Sequence, residues 1–337
     1  MEPTAALRQI AYLLERDGAE TYKVRAFRHA AEAIEQIPAG ELATLPASRL
    51  RQIPGIGDTS AQVISDALAG KTPAYLEKLT AAPSKELSEQ AASLRALLRG
   101  DCHGHSDWSD GGSPIREMAI AAKDLGHAYW ALTDHSPRLT VAHGLDADRL
   151  RQQLDVVATL NEELAPFRIL TGIEVDILED GALDQDPELL AQLDVVVASV
   201  HSKLRMDASA MTKRMIRAIN SPHTDILGHC TGRIIVGRGR PPSDFDAAAV
   251  FEACAASGTA VEINCRPERL DPPDPLLELA LSLGCVMTID TDAHAPGQLE
   301  WQGNGCEIAA ALDVPAERVM NTRPLDELLA WCASHES

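Results

Sequence analysis

The 337-residue sequence has no apolar run approaching the roughly 18 residues that a membrane-crossing helix needs, so no membrane partner is expected. Its first residues, MEPTAALRQIAYLLERDG, lack the basic, apolar, small-residue layout of a secretion signal, and a cytoplasmic location is expected. The seven cysteines are odd in number and irregular in spacing, which disfavours a disulfide framework and fits reduced thiols. Cysteine pairs of the kind that build structural zinc sites are missing. So are long low-complexity segments and solenoid repeats. An excess of basic residues is lacking too: 30 Lys and Arg face 50 Asp and Glu, a net charge of −20. An acidic surface repels nucleic acid at long range. A phosphate-bearing substrate must then be drawn in locally, and bound divalent cations would do that.

What is present divides in two. Residues 1–100 hold 12 Lys and Arg and 12 Asp and Glu, so the whole negative excess falls on the rest. Residues 3–95 read as helix, with apolar positions at three- and four-residue spacing in AALRQIAYLLERDG and YKVRAFRHAAEAIEQI. QIPGIGDTSAQVISDALAG, residues 52–70, reads as a helix–turn–helix whose tight turn contains Pro54, Gly55 and Gly57. The polar, small-residue stretch 80–95 reads as a helical linker. The expected domains are 1–95, all helical, and 100–337.

From residue 100, short runs rich in Val, Ile, Leu and Ala alternate with amphipathic stretches of ten to twenty residues, the signature of β/α units around a parallel sheet. The runs end in chemistry. GDCHGHSDWSD carries His103, His105 and Asp110; HAYWALTDHS ends in Asp134 and His135; FRILTGIEVDI ends in Glu174 and Asp176. LDVVVASVHSK ends in His201, TDILGHCTGR in His229, and GCVMTIDTDAHAP in Asp292 and His294; GTAVEINCRPE carries Glu262 and Asn264. In a β/α barrel the C-terminal strand ends converge on one face. Of eleven histidines, six fall at strand ends or just beyond them.

The expected ligand set is His103, His105, Asp110, His135, Glu174, His201, His229, Asp292 and His294. Imidazole with carboxylate suits Zn²⁺, Mn²⁺ or Fe²⁺, and nine donors exceed what one tetrahedral ion needs. Two to three ions sharing a bridging carboxylate, best supplied by Glu174, is the natural arrangement. Such ions lower the pKa of a bridging water and act as Lewis acids on a phosphoryl oxygen, so phosphate ester hydrolysis is the expected reaction. Further cations for the phosphoryl group are sought among Lys203, Arg205, Arg233 and Arg266, and in Arg238 and Arg240 of the GRGRPP loop. Asp101 and Asp134 are expected to orient histidines. Asp176 is open between that role and the surface; Glu262 and Asn264 are open between lining the pocket and pairing with backbone. His29, His127, His223 and His335 are expected to be structural.

These motifs, in this order, resemble the polymerase and histidinol phosphatase (PHP) superfamily, and most of all the PHP domain of bacterial family X DNA polymerases. Those polymerases also carry YKVRAFRHAAEAI- and IPGIG-type segments at the N-terminus. The resemblance implies a distorted seven-stranded β/α barrel, (β/α)7, with a trinuclear centre, preceded by a small helix-hairpin-helix domain. It implies a first ion on His103, His105, Glu174 and Asp292, a second on Glu174, His201 and His229, and a third on Asp110, His135 and His294. Two departures matter. The polymerase palm and fingers would lie between the two parts, yet residue 95 runs almost directly into residue 100, so nucleotide polymerisation is excluded. In the hairpin, Asp58 stands where a basic residue would better suit a phosphate, and in the fifth strand motif Cys230 replaces an expected proline.

A helix-hairpin-helix grips the DNA backbone through amides at its glycine turn. Gly55 and Gly57 preserve that feature, and Arg25, Arg28, Arg49, Arg51, Lys71 and Lys78 are candidates for a basic face, Arg25 and Lys71 foremost. The expected function is therefore DNA 3′-end processing (3′–5′ exonuclease, 3′-phosphatase or AP endonuclease type), with Glu174, Arg233, Lys203 and Arg266 acting on the phosphate. The alternative substrate is a small phosphomonoester such as histidinol phosphate. A non-catalytic DNA-binding role is disfavoured because every ligand position is filled. No nucleotide cofactor is expected.

Overall fold

The structure, a computed structural model, describes residues 1–81 and 86–336. It divides into two compact units, Met1–Glu86 and Leu87–Ser337. In the first, helices run over Pro3–Arg16, Thr21–Glu35, Asp58–Leu68 and Ala74–Thr80, with single turns at Ala39–Leu42 and Ala47–Leu50. Their apolar faces meet in one core: Leu7, Ile10 and Leu14 at three- and four-residue spacing pack with Phe27, Ile34, Leu50, Ile64 and Leu76. Gly55 takes φ +89° in the hairpin turn, a backbone that only glycine adopts without strain. Gly57 caps the following helix, its amide donating 2.9 Å to the Ser60 hydroxyl.

Exposed Asp58 is paired with Arg51 at 3.0 Å. Arg25 and Lys71 are exposed. Arg28 is not available for a basic face, because its guanidinium grips the buried carboxylate of Glu15 at 2.6 and 2.9 Å.

The second unit is an α/β barrel. Strands β1 (Gly100–Asp101), β2 (Tyr129–Leu132), β3 (Arg168–Asp176), β4 (Val195–Ser199), β5 (Ile226–Leu227), β6 (Ala260–Asn264) and β7 (Met287–Asp290) lie side by side in sequence order, every neighbouring pair parallel. Beyond the ends of β1 and β7 the chain joins again: the amide of His105 donates 2.8 Å to the Ala293 carbonyl, and that of Asp292 donates 3.0 Å to the carbonyl of His103. The barrel is thereby nearly closed, and at the level of the histidine motif.

The closed end holds Tyr129, Leu170, Val195, Val197, Ile226 and Ala260, stoppered by Leu328 and Cys332 of the helix Leu325–Ala333. Alternate residues of a strand share a face. Leu170 therefore predicts the inward direction of Glu174 on β3, Val195 and Val197 that of His201 past β4, and Ala260 that of Glu262 on β6.

The unit boundary differs from the expected one. The helix Glu89–Leu97, assigned to residues 1–95 by the sequence reading, packs against Gln302–Ala311 of the barrel unit. Ser88 caps it, accepting 3.2 Å from the Ala91 amide, and Glu307 accepts from the Ser88 amide at 2.6 Å. Of the linker expected over 80–95, residues 82–85 lie outside the described residues. No helix among the described residues is long and apolar enough to cross a membrane. All seven cysteines are buried and unpaired.

Candidate metal centre

At the open mouth of the barrel, the nine side chains chosen from the sequence converge. Gly104, between His103 and His105, sets the first turn: a Cβ there would lie 2.6 Å from Trp130 Nε1, so only glycine lets the segment lie against the buried indole. Both imidazoles are fully buried and their Nε2 atoms sit 3.2 Å apart. Glu174 stands at the centre. Its Oε2 is 3.4 Å from His103 Nε2 and 3.5 Å from His105 Nε2; its Oε1 is 3.2 Å from His201 Nε2 and 3.5 Å from His229 Nε2. Asp292 Oδ1 completes the first set, 3.3 Å from His105 Nε2. Asp292 adopts φ +52°, a strained backbone of the kind found where function over-determines conformation. Nearer solvent, Asp110 Oδ1 lies 3.5 Å from His135 Nε2 and 3.3 Å from His294 Nε2.

Four overlapping groups of donors result: His103, His105 and Asp292; His103, Glu174 and His229; His135, Glu174 and His201; and His105, Asp110, His135 and His294. Glu174 belongs to two of them, and its Oε2 also lies 2.9 Å from His135 Nδ1.

The proton inventory of these rings fits cations. His103 Nδ1 lies 2.5 Å from Glu262 Oε1, and His229 Nδ1 lies 3.3 Å from Glu262 Oε2. Each ring donates its Nδ1 proton to that carboxylate, so each turns a bare Nε2 lone pair toward Glu174. Lone pair facing carboxylate is repulsive unless a positive charge sits between them. With protons as the only positive charge, the site supplies it by titration. Burial opposes the charged form of His201, but Glu174 and Asp176 outweigh it and push the group up to about 9. Burial likewise opposes charge on His103, and Glu262 with Glu174 holds it well above its ordinary value. His105 moves the other way, down to about 3, through burial and the nearby His294 and His135. Burial would raise Glu174, yet the surrounding imidazoles, His201 first, hold it well below the carboxylate range. Divalent cations satisfy the same donors without protons.

Several supporting residues differ from expectation. Asp101 and Asp134 touch no imidazole. Asp101 accepts from the amides of His103 and Thr291, each at 3.2 Å, and from the Thr291 hydroxyl. Asp134 accepts from the Ser106 amide at 2.8 Å, the Ser109 hydroxyl at 2.5 Å and Gln153 at 2.7 Å, fixing the loop that carries Asp110. Short polar side chains at a strand end serve backbone as readily as rings. The ring-orienting carboxylate is Glu262, which also accepts 2.5 Å from the His229 amide. Asp176 supports His201, accepting 3.1 Å from its amide with Nδ1 3.5 Å away.

Among the cations, Arg266 reaches the site: its Nη1 donates 3.1 Å to the Asp292 carbonyl and lies 3.5 Å from Asp292 Oδ1. Arg233 does not, because its guanidinium is spent on the carbonyls of Arg269, at 3.0 Å, and Leu270. Lys203 is exposed and lies 3.9 Å from Glu179, outside the cavity wall. Arg240 is tied to the Gly232 carbonyl at 2.6 Å. The residue that the sequence reading missed is Arg269. Its Nε lies 3.4 Å from Asp292 Oδ2, and its Nε and Nη1 are buried without a hydrogen-bond partner. Arg266, Arg269 and the ligand groups line a cavity of about 310 Å³.

Comparisons with known proteins agree with this architecture. Residues 1–73 match the helix-hairpin-helix domain and residues 101–266 the PHP domain. The DNA polymerase/3′-5′ exonuclease PolX of Bacillus subtilis is 41% identical over 234 residues, 69% of this chain; the chain spans 41% of that relative's length. A "Probable phosphatase" of Shewanella oneidensis is 28% identical over 239 residues, 67% of this chain and 88% of that protein. A solved structure of histidinol phosphate phosphatase from Lactococcus lactis, complexed with zinc, L-histidinol and phosphate, aligns with TM-score 0.41 at 20% identity, covering 59% of this chain and 87% of that one. The chain thus pairs a helix-hairpin-helix domain with a PHP domain.

Proposed function

We propose that the chain is a metal-dependent phosphoesterase that processes DNA 3′ ends. The observation that carries the hydrolytic reading is the convergence of nine imidazole and carboxylate groups, Glu174 at their centre, at a barrel mouth, with two guanidinium groups beside them. His103, His105, Glu174 and Asp292 would hold one divalent ion, Glu174, His201 and His229 a second, and Asp110, His135 and His294 a third. Zinc, manganese or iron suits these donors. Bound there, such ions supply an activated water and withdraw charge from the phosphoryl oxygens.

The chain's own groups do the rest. Glu174 places its two oxygens toward separate donor groups and so fixes their spacing. Glu262 holds two imidazoles with Nδ1 protonated and Nε2 free. Arg266 and Arg269, at the wall of the cavity, neutralise Asp292 and present N–H groups to an incoming phosphate.

DNA as substrate is supported by the helix-hairpin-helix match and by the PolX relative. Gly55 and Gly57 offer turn amides for a backbone phosphate, with exposed Arg25 and Lys71 as further contacts. A second reading, a small phosphomonoester, is favoured by the likeness to the Shewanella phosphatase across the barrel.

The experiment is a side-by-side assay with defined metals: a 5′-labelled oligonucleotide with a 3′ hydroxyl or 3′ phosphate, and free phosphomonoesters. Turnover of the oligonucleotide supports 3′-end processing; activity confined to free esters selects the second reading. Glu174→Gln should abolish both. Retention of either rate in that variant would remove the multinuclear centre from the mechanism.

A further inference from the structure

Two loops flank the cavity. One follows β2 and reaches the cavity wall at Leu139; the other follows β5 and reaches it at Ile234. Within two residues of those wall residues along the chain, both loops present apolar side chains to solvent: Val141 is 85% exposed, Ile235 50% and Val236 47%. Among the described residues from 87 onward, these are three of only four large apolar side chains exposed to this degree.

Neither loop is slack. Leu145 donates 2.7 Å to the His135 carbonyl, and Arg149 clamps the His143 carbonyl at 2.5 Å. The second loop is a hairpin closed by Ile234 and Arg240, with hydrogen bonds of 2.9 and 2.8 Å, and its Ile235 amide donates 2.8 Å to the Glu268 carbonyl. Ordered backbone thus holds apolar groups out in water, which marks a contact surface.

We propose that Val141 on one side, and Ile235 with Val236 on the other, form apolar lips that grip the terminal bases of a polynucleotide strand, with Arg238 meeting its backbone phosphate. This rests on the phosphoesterase reading above and names the residues that select its substrate. Three observations choose this occupant. Leu139 and Ile234 line the cavity whereas Val141, Ile235 and Val236 do not, so the lips serve a ligand that extends out of it. The hairpin sequence IIVGRGR couples apolar side chains to the exposed cation of Arg238, the pairing that a strand of bases and phosphates complements. Branched apolar side chains are also the wedges that proteins insert between bases to unstack them. A frayed 3′ nucleotide is what a recessed centre requires.

The test uses the full chain with Mn²⁺, comparing wild type with an Ile235→Ser/Val236→Ser double variant, Val141→Ser and Arg238→Ala. All four positions are exposed, so folding is unaffected. The expected result is a KM for a single-stranded oligonucleotide raised about tenfold or more in the double variant, the loss expected when apolar side chains buried against a base are removed. Turnover of p-nitrophenyl phosphate should stay at the wild-type value. Arg238→Ala should lower the salt dependence of oligonucleotide binding.

Unchanged KM for the oligonucleotide in a wild type that does degrade it overturns the lips and leaves the phosphoesterase reading standing. Equal loss on both substrates also overturns them, as does a variant that changes only the oligomeric state. A wild type that hydrolyses p-nitrophenyl phosphate but never an oligonucleotide overturns the DNA reading itself, and the lips with it.

Discussion

Glu262 shows how much a single buried side chain decides. It receives the Nδ1 side of two rings, His103 and His229, that share a donor group with Glu174, and Asn264 ties it at 3.2 Å and, also at 3.2 Å, Asp292. In Glu262→Gln the amide nitrogen can accept from neither ring. Affinity for metal is expected to fall about 10- to 100-fold, measured by competition with a chromogenic chelator, while the far-ultraviolet circular dichroism stays unchanged. The sequence left Glu262 open between lining the pocket and pairing with backbone, and which ring it would meet was not legible, because that depends on the register of β1, five strands away along the sheet. Arg269 was invisible for a related reason. It approaches Asp292 just before Leu270, whose φ of +43° is a backbone state that its residue type does not announce. A different histidine governs acid stability. His127 Nε2 accepts from Arg95 at 3.1 Å, and burial with the Arg95 charge lowers it to about 3 from 6.5. Between those values the unfolded chain binds a proton that the folded chain refuses, so stability falls as pH falls, by about 1.4 kcal/mol per unit from this group. Urea titrations at pH 7 and pH 5 should show a smaller loss in His127→Gln than in wild type.

Among the elements, the helix Glu89–Leu97 belongs with the barrel although the sequence placed it with the helices before it. Helical periodicity reports that a face is apolar but not which neighbour covers it. Buried Ala91, Leu94 and Leu98 join the core that includes Cys306 and Ala309. A chain starting at residue 87 is expected to unfold cooperatively, whereas one starting at residue 100 loses those side chains and the Arg95–His127 contact. Deleting them should cost several kcal/mol, each buried leucine contributing about 2–3 kcal/mol, and denaturant midpoints compare the two directly. The strands, by contrast, were readable one by one, since every apolar run but the sixth ends in a candidate ligand and the sixth ends in polar Glu262 and Asn264. Short β1 and β5, of two residues each, were found by their histidines rather than by their apolar length.

For the whole molecule, the charge division and the centre act together. The barrel unit carries the negative excess, part of it as carboxylates that converge at the mouth. Stripping metal should lower the melting temperature, and Mn²⁺ at a hundredfold excess over its Kd should restore about 2.7 kcal/mol, read by thermal scans at fixed pH. Removing residues 1–86 is expected to weaken processing of duplex 3′ ends by about tenfold or more through loss of a linked binding module, while hydrolysis of p-nitrophenyl phosphate persists. Equal effects on both would assign that unit a structural part only. The joining of the barrel at His103, His105, Asp292 and Ala293 has a consequence for biosynthesis. The earliest and latest ligands lie nearly 200 residues apart, so a nascent chain still on the ribosome possesses most of the barrel and none of the finished centre. Products that stop before the last strand motif lack Asp292 and His294, so the full donor set comes together only once that motif has been made.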